Sequence, residues 1–166
     1  MELLSFESDV AALAQGLRDR GWRLTSAESC TGGLIAAACT ALAGSSDWFE
    51  RGFVTYSNEA KSEMLGVEAG LIDRFGAVSE EVARAMLQGA QQRSRAQLAV
   101  AVTGIAGPGG AVPGKPVGMV WLAWGTAQAA QSLCLQLDGD RDRVRALSVS
   151  HALQQLTRFV NDKGEP

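Results

Sequence analysis

Apolar positions along this chain recur in two alternating periods. Phe6, Val10, Leu13 and Leu17 are spaced by four, three and four, which predicts an amphipathic helix over residues 6–20, stopped by Gly21. Residues 22–27 predict a short strand. The small-residue run opening at Gly32-Gly33 predicts a second helix to about Leu42, closed by Gly44, and residues 49–56 predict a second strand. Asn58 is the expected N-cap of a short helix ending at Leu65. Ser79 is that of a longer one, with Glu80 and Glu81 in its first turn and Val82, Ala85, Met86 and Ala90 as its inner stripe. Residues 98–102 are uninterrupted apolar, as in a strand buried on both faces, and residues 117–124 predict another. Leu133, Leu135 and Leu137 alternate with Cys134 and Gln136, predicting an edge strand with one wetter face. A helix over residues 140–160 closes the series.

Helices alternating with strands predict an α/β layered domain. Between residues 102 and 117 there is only a Gly/Pro-rich stretch, whereas a parallel crossover needs a dozen or more residues and usually a helix. Those two strands are therefore expected to be antiparallel within an otherwise parallel sheet.

Composition narrows the function. The chain has 166 residues, enough for one domain over 1–166. It is 46% hydrophobic and 20% charged, with a formal charge of −3 and no Lys/Arg run of the kind that marks nucleic-acid binders. No apolar run is long enough to span a membrane, and Met1-Glu2-Leu3-Leu4 lacks the basic start of a signal peptide, so a cytoplasmic protein without membrane attachment is expected. The single histidine, His151, rules out a histidine pair. On the final helix it falls opposite the apolar stripe, is expected to be exposed, and leaves no base for a Ser-His-Asp triad. Cys30, Cys39 and Cys134 show no CxxC spacing and read as small buried hydrophobes in a reducing compartment, with neither disulfides nor a metal site.

Three segments follow strands, where open α/β sheets place ligands. In Glu28-Ser29-Cys30-Thr31-Gly32-Gly33, the glycines permit a tight turn and leave N–H groups for an anion, and Ser29 is either an N-cap or a nucleophile. In Tyr56-Ser57-Asn58-Glu59-Ala60-Lys61, a lysine in the first helical turn faces the positive macrodipole end. That environment lowers an amine's pKa toward the range of a general base; the alternative is a surface lysine and a core-edge tyrosine. Thr103-Gly104-Ile105-Ala106-Gly107-Pro108-Gly109-Gly110 is either an anion-holding nest or merely a turn, and it matches no phosphate-binding fingerprint. On the last helix Arg141 and Arg145 project to the inward side, fitting phosphate or carboxylate, while Arg143 faces solvent. Trp48 and Phe49 read as core.

These segments, with Gly52-Phe53-Val54-Thr55, Gly76-Ala77-Val78-Ser79, Lys115-Pro116-Val117-Gly118 and Gly139-Asp140-Arg141, make nearly the whole chain resemble the CinA C-terminal family. The resemblance implies a three-layer α/β/α sandwich with a mixed, mostly parallel sheet. It implies hydrolysis of nicotinamide mononucleotide to nicotinate mononucleotide and ammonia, in NAD recycling, without metal or organic cofactor, by a homodimer or higher homo-oligomer. By position it makes Ser29 the nucleophile, activated by Lys61 through Tyr56, with backbone N–H groups of Cys30–Gly33 holding the oxyanion. Substrate-binding residues would be Cys30, Thr31, Gly32, Gly33, Asn58, Thr103, Gly104, Gly107, Arg141 and Arg145. Longer relatives carry a further N-terminal domain linked to pyrophosphatase chemistry, which is not expected here. Two alternatives stand beside this: Cys30 as a thiolate nucleophile, and a non-enzymatic nucleotide-binding module of the competence/damage-inducible type.

Overall fold

The computed structural model describes residues 3–162, so the ends of the domain expected over 1–166, including Met1-Glu2, lie outside the described residues. A 3-10 turn over Leu3–Phe6 leads into α1 (Glu7–Arg20), whose last turn is closed by Gly21 in the left-handed conformation. There follow β1 (Leu24–Glu28), α2 (Leu34–Ala41), β2 (Phe49–Val54), α3 (Asn58–Leu65), α4 (Ala69–Phe75), α5 (Glu80–Gln92), β3 (Leu98–Gly104), β4 (Met119–Gly125), β5 (Ala130–Gln136) and α6 (Arg141–Asn161).

The five strands form one mixed sheet in the order β2-β1-β3-β4-β5. β1 runs parallel to both neighbours, with Glu28 opposite Val54 on one side and Val102 on the other. β4 is antiparallel to β3 and to β5, as the helix-free connection requires, so four of the described strands share one direction. The carboxyl ends of β1, β2 and β3 therefore reach one rim together.

Alternation along β3 decides what each face can accept. Leu98, Val100 and Val102 fill the side packed by α1, α2 and α6, whereas Ala99 and Ala101 leave the other side shallow. The shallow side admits α3, α4 and α5 closely: a Cβ on Gly89 of α5 would lie 2.1 Å from the Leu65 carbonyl oxygen at the end of α3. Each large apolar side chain withdrawn from water here contributes about 1.5–3 kcal/mol. Trp48 is fully buried, with Phe49 edge-on to it at 6.3 Å. Among the described residues no helix is long and apolar enough to cross a membrane.

Some expectations are corrected. Ser57 caps α3: its hydroxyl accepts from the Ala60 N–H at 3.0 Å, and Asn58 is the first helical residue. α4 is an additional element, seven residues long, with Gly70 in its first turn and glycines on both flanks that hide its periodicity. Cys134 is exposed because β5 is an edge, while Cys30 and Cys39 are buried. His151 is half-buried rather than exposed.

Candidate active site

The rim is organised by a buried carboxylate. Glu28, the last residue of β1, is 1% exposed and turns under the start of α2. Its Oε2 accepts from the Thr31 hydroxyl (2.6 Å) and the Gly33 and Ile35 N–H groups (3.2 and 2.9 Å). Its Oε1 accepts from Ala36 N–H (2.9 Å) and the Ser26 hydroxyl (3.3 Å). A negative charge thus satisfies donors that a helix start would otherwise leave orphaned. The sequence motif alone assigns Glu28 no task, although an acidic residue ending a strand just before a Gly-Gly helix start is the signal for one.

Anchored this way, the chain makes a tight turn over Ser29–Gly33. Ser29 N–H donates to the Val102 carbonyl (3.0 Å) and Gly32 N–H returns to the Ser29 carbonyl (3.0 Å). Gly32 and Gly33 have φ of 60° and 98°, left-handed values that favour glycine. Because the Gly32 and Gly33 N–H groups are engaged within the protein, they do not serve the expected anion hole. No oxygen accepts from the N–H groups of Cys30 and Thr31 among the described residues, and the Cys30 N–H meets only its own thiol sulfur.

The turn presents Ser29 to Lys61. Lys61 is 1% exposed, in the first turn of α3, and its Nζ stands 3.1 Å from Ser29 Oγ, 3.1 Å from the Thr55 carbonyl and 3.5 Å from that of Ser57. Burial lowers the amine's pKa below the usual lysine range; Cys30 and Glu59 pull the other way. Among the described residues no carboxylate lies within ion-pair distance of Lys61.

Tyr56 does not link the two. It is 58% exposed, and its hydroxyl accepts from Arg141 Nη2 (2.9 Å), while Arg141 Nη1 donates to the Gly107 carbonyl (2.8 Å). The expected relay through Tyr56 is replaced by a direct Lys61–Ser29 contact. Burial pushes the Cys30 thiol up to about 12, so it stays protonated, against the thiolate alternative.

These groups enclose a cavity of about 230 Å³ whose floor holds Ser29, Cys30 and Lys61. Tyr56, Asn58, Arg141, Thr103, Gly104 and Ala106 also line it, with Arg141 joining Tyr56 to the loop after Ala106. Ala77 and Val78, not foreseen as site residues, complete the wall. Ala77 is tied in because the Thr103 hydroxyl donates to its carbonyl (2.8 Å), and Lys115 pins the neighbouring Phe75 carbonyl. Gly107 touches the site only through Arg141, and Thr31, Gly32 and Gly33 stand behind the wall. Arg145 also departs from expectation: its Nε and Nη2 donate to the Cys30 and Thr31 carbonyls, both at 3.2 Å, and it does not line the cavity.

A buried amine against a serine hydroxyl, beside unspent backbone N–H groups, has the parts for acyl transfer without histidine. The family model of the CinA C-terminal domain matches residues 7–160. Nicotinamide-nucleotide amidohydrolase PncC from Pseudomonas putida is 54% identical, over 89% of this chain and 92% of that protein. The protein of the same name from Escherichia coli K12 is 49% identical, over 93% of each. The crystal structure of the competence damage-inducible protein A (ComA) from Klebsiella pneumoniae is 39% identical and superposes with a TM-score of 0.91, over 93% of this chain and 96% of that one.

Proposed function

The chain belongs to the CinA C-terminal domain family, and from that premise we propose that it is a nicotinamide-nucleotide amidohydrolase: it hydrolyses nicotinamide mononucleotide to nicotinate mononucleotide and ammonia. The observation that carries this reading is the 3.1 Å contact between the buried Lys61 amine and the Ser29 hydroxyl at the floor of the cavity. The relatives named for that activity, about half identical over most of the chain, supply the substrate.

A neutral lysine has two N–H bonds and one lone pair. The Thr55 and Ser57 carbonyls accept the two hydrogens, which turns the lone pair toward Ser29. Lys61 takes the hydroxyl proton as Ser29 Oγ bonds to the carboxamide carbon, and the carbonyl oxygen becomes an anion. The Cys30 N–H stabilises that anion; losing one such donor costs on the order of 10²–10³ in rate. The Lys61 ammonium gives its proton to the amide nitrogen, the C–N bond breaks and ammonia leaves. Lys61 then deprotonates a water that attacks the ester carbon, and Ser29 recovers its proton as the nicotinate nucleotide departs. The substrate's pyridinium charge makes the carboxamide carbon more electrophilic.

The cavity is smaller than the roughly 300–1,000 Å³ of sites that enclose a drug-sized ligand. It suits the pyridine carboxamide, with ribose and phosphate running outward to Arg141, whose exposed guanidinium faces the rim. Tyr56 fixes that guanidinium and borders the ring's position. The test is ammonia release from nicotinamide mononucleotide by purified protein and by Ser29→Ala. Turnover by the native chain and none by the variant is expected. Nucleotide binding without turnover by either would instead make this a nucleotide-binding module.

A further inference from the structure

Two consecutive glycines make the Ser29–Gly33 turn easy to flip, because glycine tolerates either sign of φ. Yet the turn must hold one backbone N–H toward the cavity. In a trans peptide the C=O and the following N–H point opposite ways, so gripping a carbonyl aims the N–H. The Ser29 carbonyl is held by Gly32 N–H, which orients the Cys30 N–H. The Cys30 and Thr31 carbonyls are held by Arg145, which orients the Thr31 N–H and blocks reversal of the next peptide. Both peptides flanking Cys30 are thereby fixed, and Cys30 lines the cavity. Arg145 approaches from α6, half-buried, and among the described residues only the exposed Asp142 carboxylate pairs with it, 4.0 Å from Nη1.

The geometry points to Arg145 as the positioning residue of the anion-binding turn: by gripping the Thr31 carbonyl it fixes the peptide whose Gly32 N–H holds the Ser29 carbonyl, and through that bond it keeps the Cys30 N–H toward the cavity, which Arg145 itself does not line. Its planar fork reaches two adjacent carbonyls at once, which a lysine ammonium matches poorly. A guanidinium pulling on a carbonyl also polarises that peptide and strengthens the N–H at its other end. The assignment rests on the amidohydrolase reading and replaces a phosphate contact by this arginine.

Arg145→Gln and Arg145→Lys are compared with the native chain on nicotinamide mononucleotide, on the phosphate-free nucleoside, and in the nitrophenolate burst from 4-nitrophenyl acetate, which reports acetyl transfer to Ser29 whatever the natural substrate. In Arg145→Gln, kcat is expected to fall about tenfold to a hundredfold by the same factor on both nicotinamide substrates, with KM within about threefold. The burst rate should fall alongside at unchanged amplitude, and Arg145→Lys should recover part of the loss. A merely structural role would lower the amplitude, which counts competent sites, and leave the rate alone; that result overturns the assignment. So does a KM increase confined to the phosphorylated substrate, or unchanged kinetics. A native chain that gives the burst but no ammonia refutes the amidohydrolase reading, while the burst comparison still decides the role of Arg145. Neither burst nor ammonia refutes both. If Arg145→Gln does not fold, Arg145→Lys decides: a reduced burst rate supports the assignment and a native rate overturns it.

Discussion

Replacing Glu28 by Gln keeps the side chain's shape and exchanges one accepting oxygen for a donating amide. The two oxygens are not equivalent. An amide nitrogen in place of Oε2 would face two backbone N–H groups, Gly33 and Ile35, neither of which can turn away. In place of Oε1 it would face one, Ala36, together with the Ser26 hydroxyl, which can rotate and accept. The second arrangement prevails and leaves one buried N–H without an acceptor, at a cost of about 1–3 kcal/mol. The remaining bonds change from charge-assisted to neutral, and the charge at the helix start is lost, adding about 1 kcal/mol. A total near 3 kcal/mol corresponds to a fall in Tm of about 6–12 °C for a chain of this length. Thermal unfolding followed by circular dichroism at neutral pH reads it directly. A shift below about 2 °C would refute the claim that an ionised Glu28 holds the helix start and the catalytic turn.

Lys61→Met should lower kcat by about 10²–10⁴ with little change in KM, yet raise Tm, because it removes a buried amine; a variant that loses activity through KM alone would make Lys61 a binding residue. The amine's pKa is lower folded than unfolded, so the unfolded chain holds the proton more readily; the penalty is full below the folded value and fades as pH rises toward the ordinary lysine range, and the melting temperatures of native chain and variant should converge across that window. In the native chain kcat/KM should fall on the acid side as Lys61 protonates, and a flat acid limb would contradict a lysine base. Gly89→Ala would gain about 1 kcal/mol in an open helix, but the Leu65 carbonyl 2.1 Å from the new Cβ should make it destabilising by about 1–3 kcal/mol, a sign that thermal unfolding checks. Arg141→Ala should raise KM about tenfold or more for the nucleotide and leave the nucleoside unaffected in steady-state assays.

The layered fold was legible in the chain because its strands are apolar and its helices keep their period. The antiparallel turn at β4 followed from a connection too short of helix to cross over. Ser29 and Lys61 were legible as chemistry because an amine in a first helical turn conflicts with the macrodipole. What was not legible depends on direction in space. Tyr56 ends a strand beside the motif, but which way its hydroxyl leans is set by Arg141, 85 residues on. Arg145 and Arg141 share a helix face, yet one turn of helix separates a residue at the cavity rim from one behind the nucleophile. Glu28 was hidden because a carboxylate surrounded by donors from its own next eight residues looks, in sequence, like an ordinary polar strand end.

The central claim is that Ser29 becomes covalently acylated. Rapid acid quench during turnover of nicotinamide mononucleotide, with peptide mapping by mass spectrometry, should find the nicotinate nucleotide esterified to Ser29. Sustained ammonia release with that peptide unmodified throughout, or with the acyl group on Cys30, would contradict it.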